Sequence, residues 1–153
     1  MLSAIQVIEH CFSEIVIRAN EDHSENASHT AKYAVRAQPH EQAQTEDRIW
    51  RVDMVYHFGV GKEDGVAPYE GHLKLFGLFF IHPEFPEEKC ESLARMNGGA
   101  VLMGAVRETI LNHTLRSING PLELPLVDAR TFLPRKEQDK PLVPQPREET
   151  PSD

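Results

Sequence analysis

A chain of 153 residues with 40 % hydrophobic side chains can bury the core of one domain, which excludes a wholly disordered polypeptide. Its 24 acidic and 16 basic residues give a formal charge of −8, which argues against nucleic acid or an anionic membrane as a partner, since either needs a basic face. Cys11 and Cys90 stand in no metal-binding or redox spacing, as expected of free thiols in a reducing compartment.

Residues 1–4 form neither the basic start of a signal peptide nor part of an apolar run, and no later stretch approaches a membrane span. A cytoplasmic protein that inserts into no membrane is expected. Residues 12–17 (FSEIVI) read as a first strand, followed by a polar loop over 20–30. Tyr33-Ala34-Val35-Arg36-Ala37 begins a second strand, which Pro39 limits to a sheet edge or a bend. After the polar stretch 40–47, Trp50, Val52, Met54, Tyr56, Phe58 and Val60 take every second position, with Arg51, Asp53 and His57 between them. A strand with one apolar and one wet face belongs in an antiparallel sheet covered on one side. Gly59, Gly61 and residues 62–65 end it. Residues 73–81 (LKLFGLFFI) are apolar on both faces in their centre, as in an inner strand or one whose second face meets a subunit or a client. Gly77 inside that run marks a bulge or a close approach.

Pro86-Glu87-Glu88-Lys89 carries the proline and acidic residues of a helix start, and a short helix is predicted to about Met96. Gly98-Gly99 reads as a break. Met96, Leu102, Met103, Val106, Ile110, Leu111 and Leu115 then recur at spacings that gather on one side of a second helix, stopped by Asn119-Gly120-Pro121. Leu122, Leu124 and Leu126 alternate like an extended segment pressed onto a surface. Four strands followed by helices predict an α+β fold with helices on one face of an antiparallel sheet. From Pro134 the chain turns to proline and charge, so residues 1–133 form the domain and 134–153 a disordered tail.

Reaction chemistry is not legible. No two of the eight histidines frame a helical metal motif, and His57 and His72, which flank a loop that could join adjacent strands, are two ligands without a third. Gly59-x-Gly61 and Gly98-Gly99 lack the context of a phosphate-binding loop. Arg107-Glu108 reads as a surface pair, and nothing in the spacing of Glu108 and Asp128 sets them at the separation of a glycosidase pair. No serine or cysteine sits in a nucleophile motif, so no enzyme, metal or cofactor is expected.

The stretch 97–132 resembles the carboxyl-terminal signature of the SecB family of protein-export chaperones. There a leucine-phenylalanine-proline-tyrosine-alanine segment leads into Arg-Glu, a helix ending near Arg-Gly, and a leucine/proline loop ending Asn-Phe. Here the matching positions are Val101-Leu102-Met103-Gly104-Ala105-Val106, Arg107-Glu108, Ile110, Arg116, Leu122, Leu124, Pro125, Val127 and Asp128. Gly77-Leu78-Phe79 matches the family's Gly-Ile-Phe near the end of its fourth strand. Gly104 stands for the family's proline, Asp128 for its asparagine and Ala129 for its aromatic.

The resemblance implies a SecB-like four-stranded antiparallel sheet with helices packed on one face, assembled as a homotetramer, a dimer of dimers. It implies an ATP-independent holdase that binds unfolded preproteins or other non-native polypeptides for export and translocation. Aromatic rings and methionines suit adaptable grooves, which makes Trp50, Met54, Tyr56, Phe58, Phe76, Phe79, Phe80, Met96 and Met103 the client-binding candidates. Phe12, Leu102, Val106, Ile110 and Leu111 are the oligomer-interface candidates. Export SecB proteins meet the motor SecA partly through acids on the first strand and at the start of the fourth. Glu14 and Glu70 are the candidates here, while Arg18 and His72 occupy two of the family's acidic positions. The family's second helix after the leucine/proline loop is missing. These departures bring in an alternative, a SecB-like chaperone dedicated to one partner such as an antitoxin. A second alternative is an oligomeric interaction module without chaperone activity, whose apolar positions are consumed by interfaces.

Overall fold

Four strands, β1 (Ile5–Ala19), β2 (Ala31–Pro39), β3 (Arg48–Phe58) and β4 (Tyr69–Ile81), form one antiparallel sheet in the order β1-β4-β3-β2. The computed structural model describes residues 3–25, 27, 30–41, 48–59 and 65–135. Val60, Gly61 and the tail from residue 136 onward lie outside the described residues. β4 is an inner strand, and β2 with its terminal Pro39 is an edge, as their sequences predict. β1 is longer than its apolar centre suggests, running along the whole of β4 with irregular register between Val7 and Glu9 and between Phe12 and Glu14.

Alternation along the strands assigns the two faces. Val52, Met54, Tyr56 and Phe58 of β3 and Leu73, Leu75, Phe79 and Ile81 of β4 turn to one side and are buried. The helical layer covers them. It begins with a 3-10 turn (Glu87–Lys89), continues through α1 (Cys90–Leu93) and a π-turn (Ala94–Gly98), and ends in α2 (Gly99–Thr114). From α2, Leu102, Val106 and Ile110 press onto the sheet, and like Val52, Leu73 and Ile81 they are 0 % exposed. Burying each such side chain stabilises the fold by about 1.5–3 kcal/mol relative to leaving it in water.

Gly98-Gly99 does not break the helical run, contrary to the sequence expectation. Both residues have helical dihedrals. A Cβ on Gly98 would lie 2.8 Å from a methyl of Val52, and one on Gly99 would lie 2.7 Å from the Phe132 ring. The two glycines therefore let the helix approach the sheet and the chain's final turn closely.

After α2 the chain returns across the helix. The Thr114 hydroxyl, fully buried, donates to the Ile110 carbonyl (2.8 Å) and accepts from the Leu122 amide (2.8 Å), joining the end of the helix to the start of the return segment. Leu122 and Leu124 are buried there, and Arg107 Nε donates to the Leu124 carbonyl at 3.0 Å. Leu126 departs from the predicted alternation and is 83 % exposed. A 3-10 turn (Ala129–Phe132) closes the layer, with Asp128 capping its start by accepting from the Arg130 amide.

Candidate functional site

The sequence candidates for client and subunit contact are apolar, so the first question is which apolar side chains the fold leaves uncovered. Met54, Tyr56, Phe58, Phe79 and Met103 are all 4 % exposed or less. They form the core under α2, so as client contacts they are corrected: their side chains are covered by this chain itself. Trp50, Phe76, Phe80 and Met96 keep partial exposure, and the structure divides them between opposite sides of the sheet.

Trp50 and Met96 belong to the helical side. On the same side, the inward residues Tyr33, Val35 and Ala37 of edge strand β2, which run along the strand away from the level of Trp50, are only partly buried, as are Leu93 before the π-turn and Val127 and Ala129 after the return segment. Trp50 with Tyr33, Val35 and Ala37 makes an apolar shelf along β2, against which the π-turn carrying Met96 packs. The π-turn packs against β2 and the final 3-10 turn, which closes one end of the shelf. There Tyr33 meets Phe132 edge to face, with centroids 5.5 Å apart, and its hydroxyl hydrogen-bonds Thr131 Oγ1 at 2.8 Å. Arg95 Nε donates to the Phe132 carbonyl at 2.8 Å. Tyr33 was not among the sequence candidates. Its alternation with Val35 and Ala37 is the signal that marks it.

Phe76 and Phe80 point away from the helices. The Arg51 guanidinium lies 4.0 Å from the centroid of Phe76, and Asp53 holds it through Nε (3.0 Å) and a terminal nitrogen (2.9 Å). Near the start of β1, Phe80, Phe85 and Pro86 line an open cleft of about 440 Å³ with Gln6 and His82.

The oligomer-interface candidates also divide. Leu102, Val106 and Ile110 fill the core, because the helical period turns them toward the sheet, so they are corrected as intersubunit contacts. Leu111 and Phe12 are half-buried. The outward side of α2 instead presents Val101 (39 % exposed), Gly104 and Glu108. It borders an open cleft of about 370 Å³ lined by Gly104, Arg107, Glu108, Leu111, Glu123 and Leu124.

Both acidic candidates are held by cross-strand partners. Glu14 accepts from His72 Nε2 and from Lys74 Nζ (3.2 Å), and these hydrogen bonds, that to His72 first, lower the pKa of its carboxyl. Glu70 lies 3.7 Å from Arg18. His57 faces His72 as its direct partner across β3 and β4, with ring centroids 5.5 Å apart. Among the described residues no group of three or more histidine, cysteine, aspartate or glutamate side chains is placed to hold a metal.

The geometry has a counterpart among solved structures. The Mycobacterium tuberculosis Rv1957 SecB-like chaperone, in complex with a ChAD peptide from the Rv1956 HigA1 antitoxin, matches with a TM-score of 0.60 at 15 % identity. The match covers 82 % of this chain and 88 % of that one. A Streptococcus agalactiae protein of unknown function matches with a TM-score of 0.44 at 19 % identity, over 80 % of this chain and 99 % of that one. No protein-family model and no curated protein sequence matches the chain. The fold is SecB-like, an α+β arrangement of an antiparallel sheet with helices on one face.

Proposed function

We propose that this chain is a cytoplasmic, SecB-like holdase that captures non-native polypeptide without nucleotide and without a covalent step. The SecB-like fold, shared with a chaperone in complex with an antitoxin peptide, is the observation that carries this reading. The shelf along β2 suits such capture. Tyr33, Val35 and Trp50 supply area at low conformational cost, while Leu93 and Met96 supply adaptable aliphatic and thioether contact. An extended segment laid there gains many weak apolar contacts, and several subunits holding one client multiply their affinity. The chain assembles as a homotetramer, a dimer of dimers, through the outward side of α2 and through β1.

A dedicated polypeptide partner, such as an antitoxin segment, is favoured over delivery to SecA. Glu14 is engaged by His72 and Lys74 and Glu70 by Arg18, so the two acids at the positions the resemblance assigns to an export motor already have partners within the sheet. Purified protein mixed with a slowly refolding, chemically unfolded protein tests the holdase reading. Light scattering should stay flat without nucleotide, with client and chaperone co-eluting as a soluble complex. Unchecked client aggregation at a chaperone excess refutes the holdase reading. Nucleotide-independent binding of purified SecA at physiological salt refutes the preference for a dedicated partner.

A further inference from the structure

β2 is an edge of the sheet, so half of its backbone faces outward. The His40 amide donates to the Ile49 carbonyl and the Gly59 amide to the Thr30 carbonyl. These two bonds flank the β2–β3 pairing and fix its phase, since hydrogen-bonded pairs alternate along an antiparallel ladder. Lys32, Ala34, Arg36 and Gln38 therefore use their N–H and C=O groups on β3. Ala31, Tyr33, Val35 and Ala37 point theirs away from the sheet, where they have no partner among the described residues. Side chains alternate as well. Tyr33, Val35 and Ala37 turn to the helical side as the shelf, while Lys32 and Arg36 are exposed on the other face. Neither cation enters an ion pair among the described residues. Arg36 stands opposite Asp53, but Arg51 holds that carboxylate through Nε (3.0 Å) and a terminal nitrogen (2.9 Å). Lys32 stands opposite His57, whose ring faces His72. The other edge differs. β1 has an irregular register at two places, and on the same face it carries both signs of charge in Glu9, Glu14 and Arg18.

We propose that β2 takes an extended segment of polypeptide as a fifth, antiparallel strand, and that it selects segments alternating apolar with acidic residues. This selection rests on the holdase reading above and gives the class of segment held. In such a strand the residues opposite Tyr33, Val35 and Ala37 exchange backbone hydrogen bonds with them and lie on the same side. They extend the shelf, so they are apolar. The residues opposite Lys32 and Arg36 lie on the other face. There a carboxylate completes a cross-strand ion pair, and a lysine or arginine meets a like charge. Ala34, between the two cations, is small and exposed and leaves its opposite position unrestricted. From its amino end, opposite Ala37 through Lys32, the segment reads apolar, acidic, apolar, any residue, apolar, acidic. The formal charge of −8 does not prevent this contact, because at physiological salt charges more than about 8 Å away are screened.

A capped, fluorescently labelled peptide, threonine-valine-glutamate-valine-threonine-valine-glutamate-threonine, probes the edge against a counterpart with lysine in place of both glutamates. At physiological salt the wild type should bind the glutamate peptide about tenfold more tightly in fluorescence anisotropy. The double variant Lys32→Glu with Arg36→Glu should reverse that order. N-methylation of the valine amides, which face β2, should weaken binding about tenfold or more. N-methylation of the glutamate amides, which face away, should leave it unchanged. Hydrogen exchange read by NMR should find the Tyr33, Val35 and Ala37 amides open in the protein alone and protected with the peptide. Equal binding of the glutamate and lysine peptides overturns the proposal, and so do equal effects of the two N-methylations. Edge amides already protected in the protein alone also overturn it, because a second copy or another part of the chain then holds the edge. The N-methylated peptides keep the test decisive if the double variant fails to fold. Light scattering with the unfolded client runs alongside. A wild type that keeps the client soluble but shows no peptide preference refutes strand addition and leaves the holdase reading standing. One that selects the glutamate peptide while the client aggregates supports strand addition and refutes the holdase reading alone.

Discussion

Alanine substitutions at Gly98, Gly99 and Gly104 separate backbone propensity from packing within a single helical run. Replacing a helical glycine by alanine gains about 1 kcal/mol when the new methyl meets nothing. At Gly104 a Cβ has no neighbour within 4 Å, so Gly104→Ala should stabilise the protein by that amount. At Gly98 the same methyl would lie 2.8 Å from Val52 Cγ2 and 3.1 Å from a carbon of Phe79. Val52 is 0 % exposed and paired in β3 on both sides, so it cannot withdraw. Overpacking of this kind costs about 1–3 kcal/mol, which leaves Gly98→Ala between neutral and about 2 kcal/mol destabilising once the helix propensity is counted. Gly99→Ala meets Phe132 at 2.7 Å, a ring held by Tyr33 and by Arg95 on its carbonyl, and should fall in the same range. Urea denaturation at one fixed protein concentration reads the difference, since any self-association adds to apparent stability. If Gly98→Ala were as stable as Gly104→Ala, close packing would not be what the glycine is for.

Thr114→Val keeps the shape of the side chain but leaves the buried Leu122 amide without its acceptor. It should cost about 1–3 kcal/mol and expose that amide to hydrogen exchange, whereas Thr114→Ser should keep the amide protected. Arg130 hydrogen-bonds the Asp128 carboxyl and lowers its pKa from 3.8 to about 2. Because the folded value is the lower one, this contribution to stability is present above pH 3.8 and is lost as pH falls through about 2. Carboxyl NMR titration should find Asp128 near 2 in the wild type and back in the ordinary carboxylate range in Arg130→Gln. Met96→Gln, beside the shelf, should weaken client capture about tenfold with little change in unfolding midpoint. Met54→Ala, in the core, should lower stability by about 2–5 kcal/mol, and titration with a labelled unfolded client separates the two effects. Gly104→Trp should reduce the oligomer mass in light scattering while leaving the dichroism spectrum unchanged, because it fills the outward side of α2 and no contact within the chain.

Local periodicity is a property of the chain alone, and it carried a definite part of the result. The alternation of Trp50, Val52, Met54, Tyr56 and Phe58 assigned the covered face of β3. The spacing of Leu102, Val106 and Ile110 assigned the buried side of α2, and the order of elements assigned the α+β class. What covers an apolar side chain is set by pairing between distant segments, and periodicity does not report it. Leu102, Val106 and Ile110 are as apolar as interface residues, but the sheet consumes them, just as the core consumes Met54, Tyr56, Phe58, Phe79 and Met103. Gly98-Gly99 reads as a break until Val52 and Phe132 are seen to lie where side chains would have to go. Glu14 becomes a neutralised acid only because β1 pairs with β4 and sets it beside His72 and Lys74. The same pairing places the two-sided apolar strand β4 in the middle of the sheet, with its first face under the helices and its second covered by no described element.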